Sequence, residues 1–212
     1  MGRYTGPSCR LCRREGVKLY IKGERCLSPK CAIERRKASP APGMHGKDRK
    51  KPTEYGVQLR EKQKVKRYYG VYERQFKKYF EMATHHKGVT GEMLLQYLER
   101  RLDNVVYVSG FALSHKAARQ LVRHGHVLVN GEKVDIPSVI VKVGDVVSLA
   151  PGSEKIDMVV RALETASSKT LPTWLEIDLS KVKATVKSLP TRAEMCQGIL
   201  VNEQAIVELY SK

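Results

Sequence analysis

Four cysteines, at positions 9, 12, 26 and 31, have the type and spacing to do chemistry. They lie in PSCRLC and GERCLSPKC with the spacing C-x2-C-x13-C-x4-C, and they are four of the chain's five cysteines. Disulfides, a redox C-x-x-C or a metal centre could each use such a set. Separations of two and four suit short turns around a tetrahedral ion, and the 13-residue gap resembles a zinc ribbon or treble clef. Glycine and proline nearby (Gly6, Pro7, Gly23, Pro29) suit turns whose N–H groups point at sulfur. Flanking arginine and lysine favour thiolate over thiol. No βαβ pattern surrounds Cys9 and Cys12, which weighs against a thioredoxin-like centre. A four-thiolate shell leaves no open position for substrate, so the expected role is structural. The expected cofactor is one Zn2+ per chain on Cys9, Cys12, Cys26 and Cys31. A 4Fe-4S iron–sulfur cluster on the same four thiolates is the alternative. Cys196 stands alone in RAEMCQGIL and reads as a small buried apolar residue.

These cysteines sit in the most basic part of the chain. The net charge is +17 over 212 residues. Residues 1–80 hold 23 basic and 7 acidic side chains, and residues 81–212 hold 16 and 15. Charge this concentrated repels itself unless a polyanion neutralises it, and nucleic acid rewards clustered Lys and Arg through counterion release. An anionic membrane is the rival partner. It would need a basic amphipathic helix with a bulky apolar face, which the sequence lacks, and no run reaches the length of a membrane span. The start MGRYTGPSCR has no apolar leader segment, so a cytoplasmic location is expected, where disulfides are disfavoured.

Several elements must position these groups. Residues 1–40 read as a metal-folded knot, with a short helix through Ala32–Lys37, and SPAPGMHGKDRKKP (39–52) as a loop. Val65, Tyr69, Tyr72, Phe76, Tyr79 and Ala83 recur at helical spacing over 54–83, with a break predicted at Gly70. A third helix is predicted from about Gly91 to Leu102. Ser114 is a good N-cap for a helix ending at Gly125. Asn130-Gly131 between β-prone runs predicts a hairpin, and SVIVKVGDVVSL (138–149) predicts a further extended run turning at Gly144-Asp145. Residues 151–212 mix short helical and extended pieces around Trp174.

Two basic constellations follow from those elements. After Ser114, residues Lys116, Arg119, Gln120, Arg123 and His124 form a stripe opposite Ala117, Ala118, Leu121 and Val122. Such a stripe can lie across phosphates or be an ordinary solvated face. Between 60 and 78, Arg60, Lys62, Lys64, Lys66, Arg67, Arg74, Lys77 and Lys78 interleave with aromatics, whose spacing reads as packing core with the cations left for phosphate. His45, His85 and His86 read as polar loop residues. Walker A, H-E-x-x-H, G-x-S-x-G and G-x-G-x-x-G motifs are missing, and no enzyme is expected.

The block SGFALSHKAARQLVRHGHVLVNGEKVDIPSVIVKVGDVVSL resembles the small RNA-binding module named after bacterial small ribosomal subunit protein four. PGMHGKDRKKPTEYGVQLREKQKVKRYYGVYERQFKKYFEMA, WLEID and the terminal IVELYSK extend the resemblance to that ribosomal protein family over essentially the whole chain. Met44 stands where the family more often has Gln. The four cysteines match its zinc-bearing branch.

The resemblance implies an α+β fold in which the RNA-binding module of short helices and antiparallel sheet is inserted in a helical domain. The implied domains are 1–45 (four-Cys metal knuckle and basic loop), 46–98 (helical), 99–164 (module) and 165–212 (a C-terminal return). It further implies a structural constituent of the small subunit that binds 16S rRNA directly, nucleates assembly of the body and contributes to translational accuracy. The implied partners are small-subunit proteins five and twelve, with the chain a monomer within the ribosome and no membrane partner. By position, Ser114, His115, Lys116, Arg119, Gln120, Arg123 and His124 would touch RNA, as would Lys47, Arg49, Lys50 and Lys51. The charge pattern adds Arg60, Lys66 and Arg67. An RNA-modifying enzyme carrying the same module lacks support, since no catalytic domain is recognisable. A zinc DNA-binding regulator would need a recognition helix, which is not apparent.

Overall fold

The computed structural model describes residues 2–35, 40–47, 51–166 and 171–211. In chain order the helices are α1 (Ser8–Glu15), α2 (Glu54–Tyr68), α3 (Glu73–Thr84), α4 (Thr90–Glu99), α5 (Leu102–Val108), α6 (His115–Arg123), α7 (Asp157–Ala166) and α8 (Glu203–Ser211). The strands are β1 (Val127–Val129), β2 (Glu132–Lys133), β3 (Val146–Leu149), β4 (Leu175–Asp178) and β5 (Lys183–Val186). They fall into two compact units, one of residues 1–95 with 196–212 and one of residues 96–195.

The first unit is helical. α2 starts where Thr53 accepts a hydrogen bond from the Gly56 N–H at 3.1 Å, and basic Lys66 and Arg67 complement the dipole of its last turn. It stops as predicted at Gly70, whose φ of 64° ends a helix without the cost a β-carbon would bring. α3 then buries Phe76, Tyr79, Phe80 and Ala83. Tyr72 departs from the predicted apolar face: it precedes the first turn of α3 and is exposed. α8 returns to pack on α2. Its Tyr210 ring stacks at 4.6 Å from that of Phe80, and its hydroxyl donates to Glu73 Oε1 at 2.7 Å. Gln58 of α2 donates to Glu208 of α8 at 3.0 Å.

Two expectations for the N-terminal part change. Cys9 and Cys12 lie within α1 rather than on a turn, because the helix runs from Pro7 to the left-handed Gly16 (φ 70°). The described part of the predicted 32–37 helix, residues 32–35, is a turn. A small apolar cluster of Cys12, Leu19 and Ile21, flanked by Leu11, Ile33 and Ile199, holds this segment.

The second unit wraps helices around a five-stranded antiparallel sheet of order β2-β1-β3-β5-β4. Its core includes Leu102, Val105, Val106, Phe111, Ala118, Leu121, Val122, Val147, Trp174 and Ala184. The Asn130-Gly131 hairpin forms as predicted, with φ of 52° and 87° at the two turn residues. Asn130 also ties the hairpin to the Gly144-Asp145 turn. Its Nδ2 donates to Asp145 Oδ1 and its Oδ1 accepts from the Val146 N–H, both at 2.9 Å. Residues 138–141 form no strand. They run beside the start of α5, with Leu102 N–H donating to the Val139 carbonyl at 2.8 Å and Ile140 bridging Arg101.

The predicted boundary at 165 is displaced. β5 pairs with β3 in the register Val147↔Ala184, and Trp174, Ala184 and Val186 fill the module's core. Residues 171–195 therefore complete this unit, and the return begins at Cys196. Cys196 is buried as expected, but with a φ of 54° and its Sγ 3.2 Å from the Tyr69 hydroxyl.

Burial alone pushes the Glu73 carboxyl up, yet hydrogen bonds from Lys62, Lys66 and Tyr210 bring it from an ordinary 4.5 down to about 2. A depressed carboxyl gives stability that is full above 4.5 and fades as pH falls toward 2. Glu73→Gln should therefore flatten the acid limb of stability in that window, measured as urea midpoint against pH. A variant profile that overlays the parent's would discard this network as a source of stability.

Candidate nucleic-acid interface

α6 is the best-defined basic element. The Ser114 hydroxyl caps it by accepting from the Ala117 N–H at 3.3 Å. At its other end Gly125 (φ 74°) lets the His126 N–H reach the Leu121 carbonyl at 3.0 Å. Ala118, Leu121 and Val122 face the core. Gln120, Arg123 and His124 are exposed and Lys116 is half-buried, so these four keep the outward edge predicted for them. Arg123 pairs loosely with Asp135 at 3.5 Å, both about half-exposed. Arg123, His124, Gly125, Lys133 and Asp135 line an open cleft of about 290 Å³.

Two residues expected to touch RNA are inside. His115 is buried, with its Nε2–H donating to Asn104 Oδ1 at 2.9 Å and its ring 4.0 Å from that of Tyr107. Burial, reinforced by the Arg101 charge, lowers its pKa from 6.5 to about 3, so the ring is neutral. Arg119 is also buried and gives Nη1 to Asp103 Oδ2 at 3.3 Å. The reason is helical geometry: 115, 118, 119 and 122 share one face. Ala117, expected on the buried face, is only half-buried. Polarity does not require exposure here, because buried acceptors from α5 bond both side chains. The signal that could have found them is the polar pair Asp103-Asn104 inside the apolar run LDNVVYV.

The basic residues of α2 also have protein partners. Arg60 and Arg67 both bind Glu15 Oε1, the former at 3.3 Å. Lys66 binds Glu73 at 2.8 Å. The Glu15 side chain is 1% exposed; burial pushes its pKa up while Arg67 and Arg60 pull it down. Arg74, Lys77 and Lys78 on α3 are exposed instead. In the basic loop Lys47 ends a short 3-10 turn and Lys51 is exposed, while Arg49 and Lys50 lie outside the described residues.

The four N-terminal cysteines are neighbours without converging on one point. Cys9 and Cys12 share a face of α1, Cys26 ends the 3-10 turn Gly23–Cys26, and Cys31 opens the next turn. All four line one cavity of about 20 Å³ with Ile21 and Ile33, and all are free thiols. Burial raises the Cys12 and Cys26 pKa values, and the neighbouring thiols raise them further. Among the described residues no three His, Cys, Asp or Glu side chains converge closely enough to hold an ion as they stand. The donor set fits a thiophilic ion; the convergence falls short of one. Beside the thiols, Arg10, Arg13, Arg25, Lys30 and Arg35 line a cleft of about 470 Å³.

Comparison with known proteins adds an independent line. Residues 3–99 match the family described as ribosomal protein S4/S9 N-terminal domain, and residues 100–147 match the S4 domain. The chain is 58% identical to small ribosomal subunit protein uS4A of Symbiobacterium thermophilum over 212 residues, all of both chains. It is 57% identical to uS4 of Acetivibrio thermocellus and 55% identical to uS4 of Thermodesulfovibrio yellowstonii, again over the full length of each.

The burial of His115 has a measurable cost. His115→Ala opens a cavity and leaves Asn104 without that donor, and should destabilise the chain by about 2–4 kcal/mol in urea unfolding. Because the folded pKa is depressed, the parent should also lose stability as pH falls from 6.5 toward 3, and the variant should lose less. A loss under about 0.5 kcal/mol, typical of surface sites, would return His115 to the surface.

Proposed function

The chain belongs to the family of small ribosomal subunit protein uS4, and from that membership we propose that it works by binding 16S rRNA through the outward edge of α6 and the basic surfaces of its first unit. It is a structural, rRNA-binding component of the small subunit in the cytoplasm, and not an enzyme. The observation that carries this is full-length identity of 55–58% to uS4 proteins.

A-form grooves admit side chains poorly, so recognition rests on phosphates, 2′-hydroxyls and junction shape. Lys116, Gln120, Arg123 and His124, beside the cleft over Lys133, suit that task. Exposed Arg74, Lys77, Lys78 and Lys51 supply further phosphate contacts. Ser114 serves the interface as a helix cap. His115 and Arg119 serve it from beneath, and Arg60, Lys66 and Arg67 share their charge between carboxylates and RNA. In this reading the protein nucleates assembly of the subunit body, contacts small-subunit proteins five and twelve, and so bears on translational accuracy.

The test is sedimentation of tagged protein from a lysate, with co-migration with the small subunit expected. Purified chain should bind a 16S junction fragment about a hundredfold less tightly at 200 mM than at 50 mM salt if it contacts about four phosphates. Salt-insensitive binding, or equal affinity for DNA of the same sequence, would refute the phosphate and 2′-hydroxyl mechanism.

The thiol cavity supports a second element of this reading: Cys9, Cys12, Cys26 and Cys31 hold one Zn2+. The ion would supply a cross-link to a segment whose own apolar cluster is small, since a four-thiolate shell offers no open position. Binding would need the four thiols closer together than they stand and would displace their protons, so affinity should rise with pH. Elemental analysis should give about one zinc per chain; iron with sulfide would assign the 4Fe-4S alternative, and neither metal would remove the site. Cys26→Ser should forfeit on the order of 10 kcal/mol of local folding energy, exposing residues 2–35 to protease while residues 96–195 stay protected.

A further inference from the structure

Beneath the outward edge of α6 lies a buried ionic group that RNA binding does not use directly. Arg101 and Asp103 are 0% and 4% exposed, and Arg119 is 7% exposed. Arg101 grips Asp103 with two bonds, Nε to Oδ1 at 3.0 Å and Nη2 to Oδ2 at 2.7 Å. Arg119 reaches the same Oδ2 at 3.3 Å. One residue on, Asn104 donates to the Glu99 carbonyl and accepts from His115, both at 2.9 Å.

We propose that Asp103 is the positioning residue of the RNA-binding edge: by holding Arg119 against Arg101 it fixes the rotation and register of α6. The inference rests on the reading that α6 faces RNA. Around this group the α5–α6 contact is apolar, made by Val105, Val106, Ala118, Leu121 and Val122. Apolar packing is non-directional and tolerates small rotations of a helix. A buried charge pair does not, because separating the partners leaves an ion without solvent. α6 is pinned at two successive turns of its inner face, His115 and Arg119. Lys116, Gln120 and Arg123 are thereby aimed outward together. One carboxylate reaches both guanidiniums, because it has two oxygens and Arg101 takes its bonds side-on.

The experiment is a double-mutant cycle on the full chain, binding a 16S junction fragment. Lys116→Ala/Arg123→Ala should weaken binding by at least about tenfold and make the salt slope shallower by about 2. Asp103→Asn should produce the same two changes without touching either side chain. Combined, the three substitutions should bind within about twofold of Lys116→Ala/Arg123→Ala, because a misplaced edge that is already gone costs nothing more. Asp103→Glu, which keeps the charge, should recover part of the slope. Losses that multiply would overturn the inference, since Asp103 would then act on the whole fold. So would full affinity in Asp103→Asn. If Lys116→Ala/Arg123→Ala binds as the parent does, α6 is not the RNA face and both readings fall. Where Asp103→Asn does not fold, Arg119→Met keeps the Arg101–Asp103 pair and enters the same cycle with the same outcomes.

Discussion

A chain with a net charge of +17 must tie its cations down or keep them apart, and among the described residues three carboxylates each tie down two. Glu15 holds Arg60 and Arg67, Glu73 holds Lys62 and Lys66, and Asp103 holds Arg101 and Arg119. Each joins segments that local propensity would leave independent: α1 to α2, α2 to α3, and the start of α5 to α6. A buried or half-buried guanidinium without such a partner would carry a desolvation cost of several kcal/mol. The fold can therefore hold this much basic charge because a few acids sit where the cations converge. Other polar side chains are displayed. Arg74, Lys77 and Lys78 on α3, and Gln120, Arg123 and His124 on α6, are exposed, and a polyanion neutralises such surfaces with release of counterions.

Features governed by local chemistry were legible in the sequence. Ser114 announces the start of α6, Gly70 the end of α2, and Asn130-Gly131 the hairpin, because each rests on one residue's conformational range or one side chain's reach. Features governed by distant partners were not. That residues 175–186 extend the sheet of β1–β3 depends on where β3 leaves an unpaired edge. That His115 and Arg119 lie inside depends on Asn104 and Asp103 offering acceptors 11 and 16 residues away. The helix carrying Cys9 and Cys12 was hidden because C-x-x-C spacing suits a turn, although i and i+3 on a helix also place two thiols side by side.

The candidate sites divide the same way. Four thiols on one cavity were foreseeable from spacing alone, and their identity as a donor set follows from type. The outward edge of α6 was half foreseeable: a stripe of polar residues was evident, but which of them reach solvent was decided by α5. Local pattern thus brought both candidate groups into view, and tertiary packing decided which single side chains are buried.

The first unit is assembled from two stretches of chain separated by a hundred residues, and this sets an order of events. α2 and α3 emerge early in synthesis with Phe80 and Glu73 awaiting Tyr210, which is the last aromatic to be made. The second unit, continuous in sequence, has every strand of its sheet before α8 exists. The residues of the whole module are thus added while the strongly basic helical unit is still unfinished. A polyanion that reached the chain before its release would meet that unit with its last packing layer still to be added.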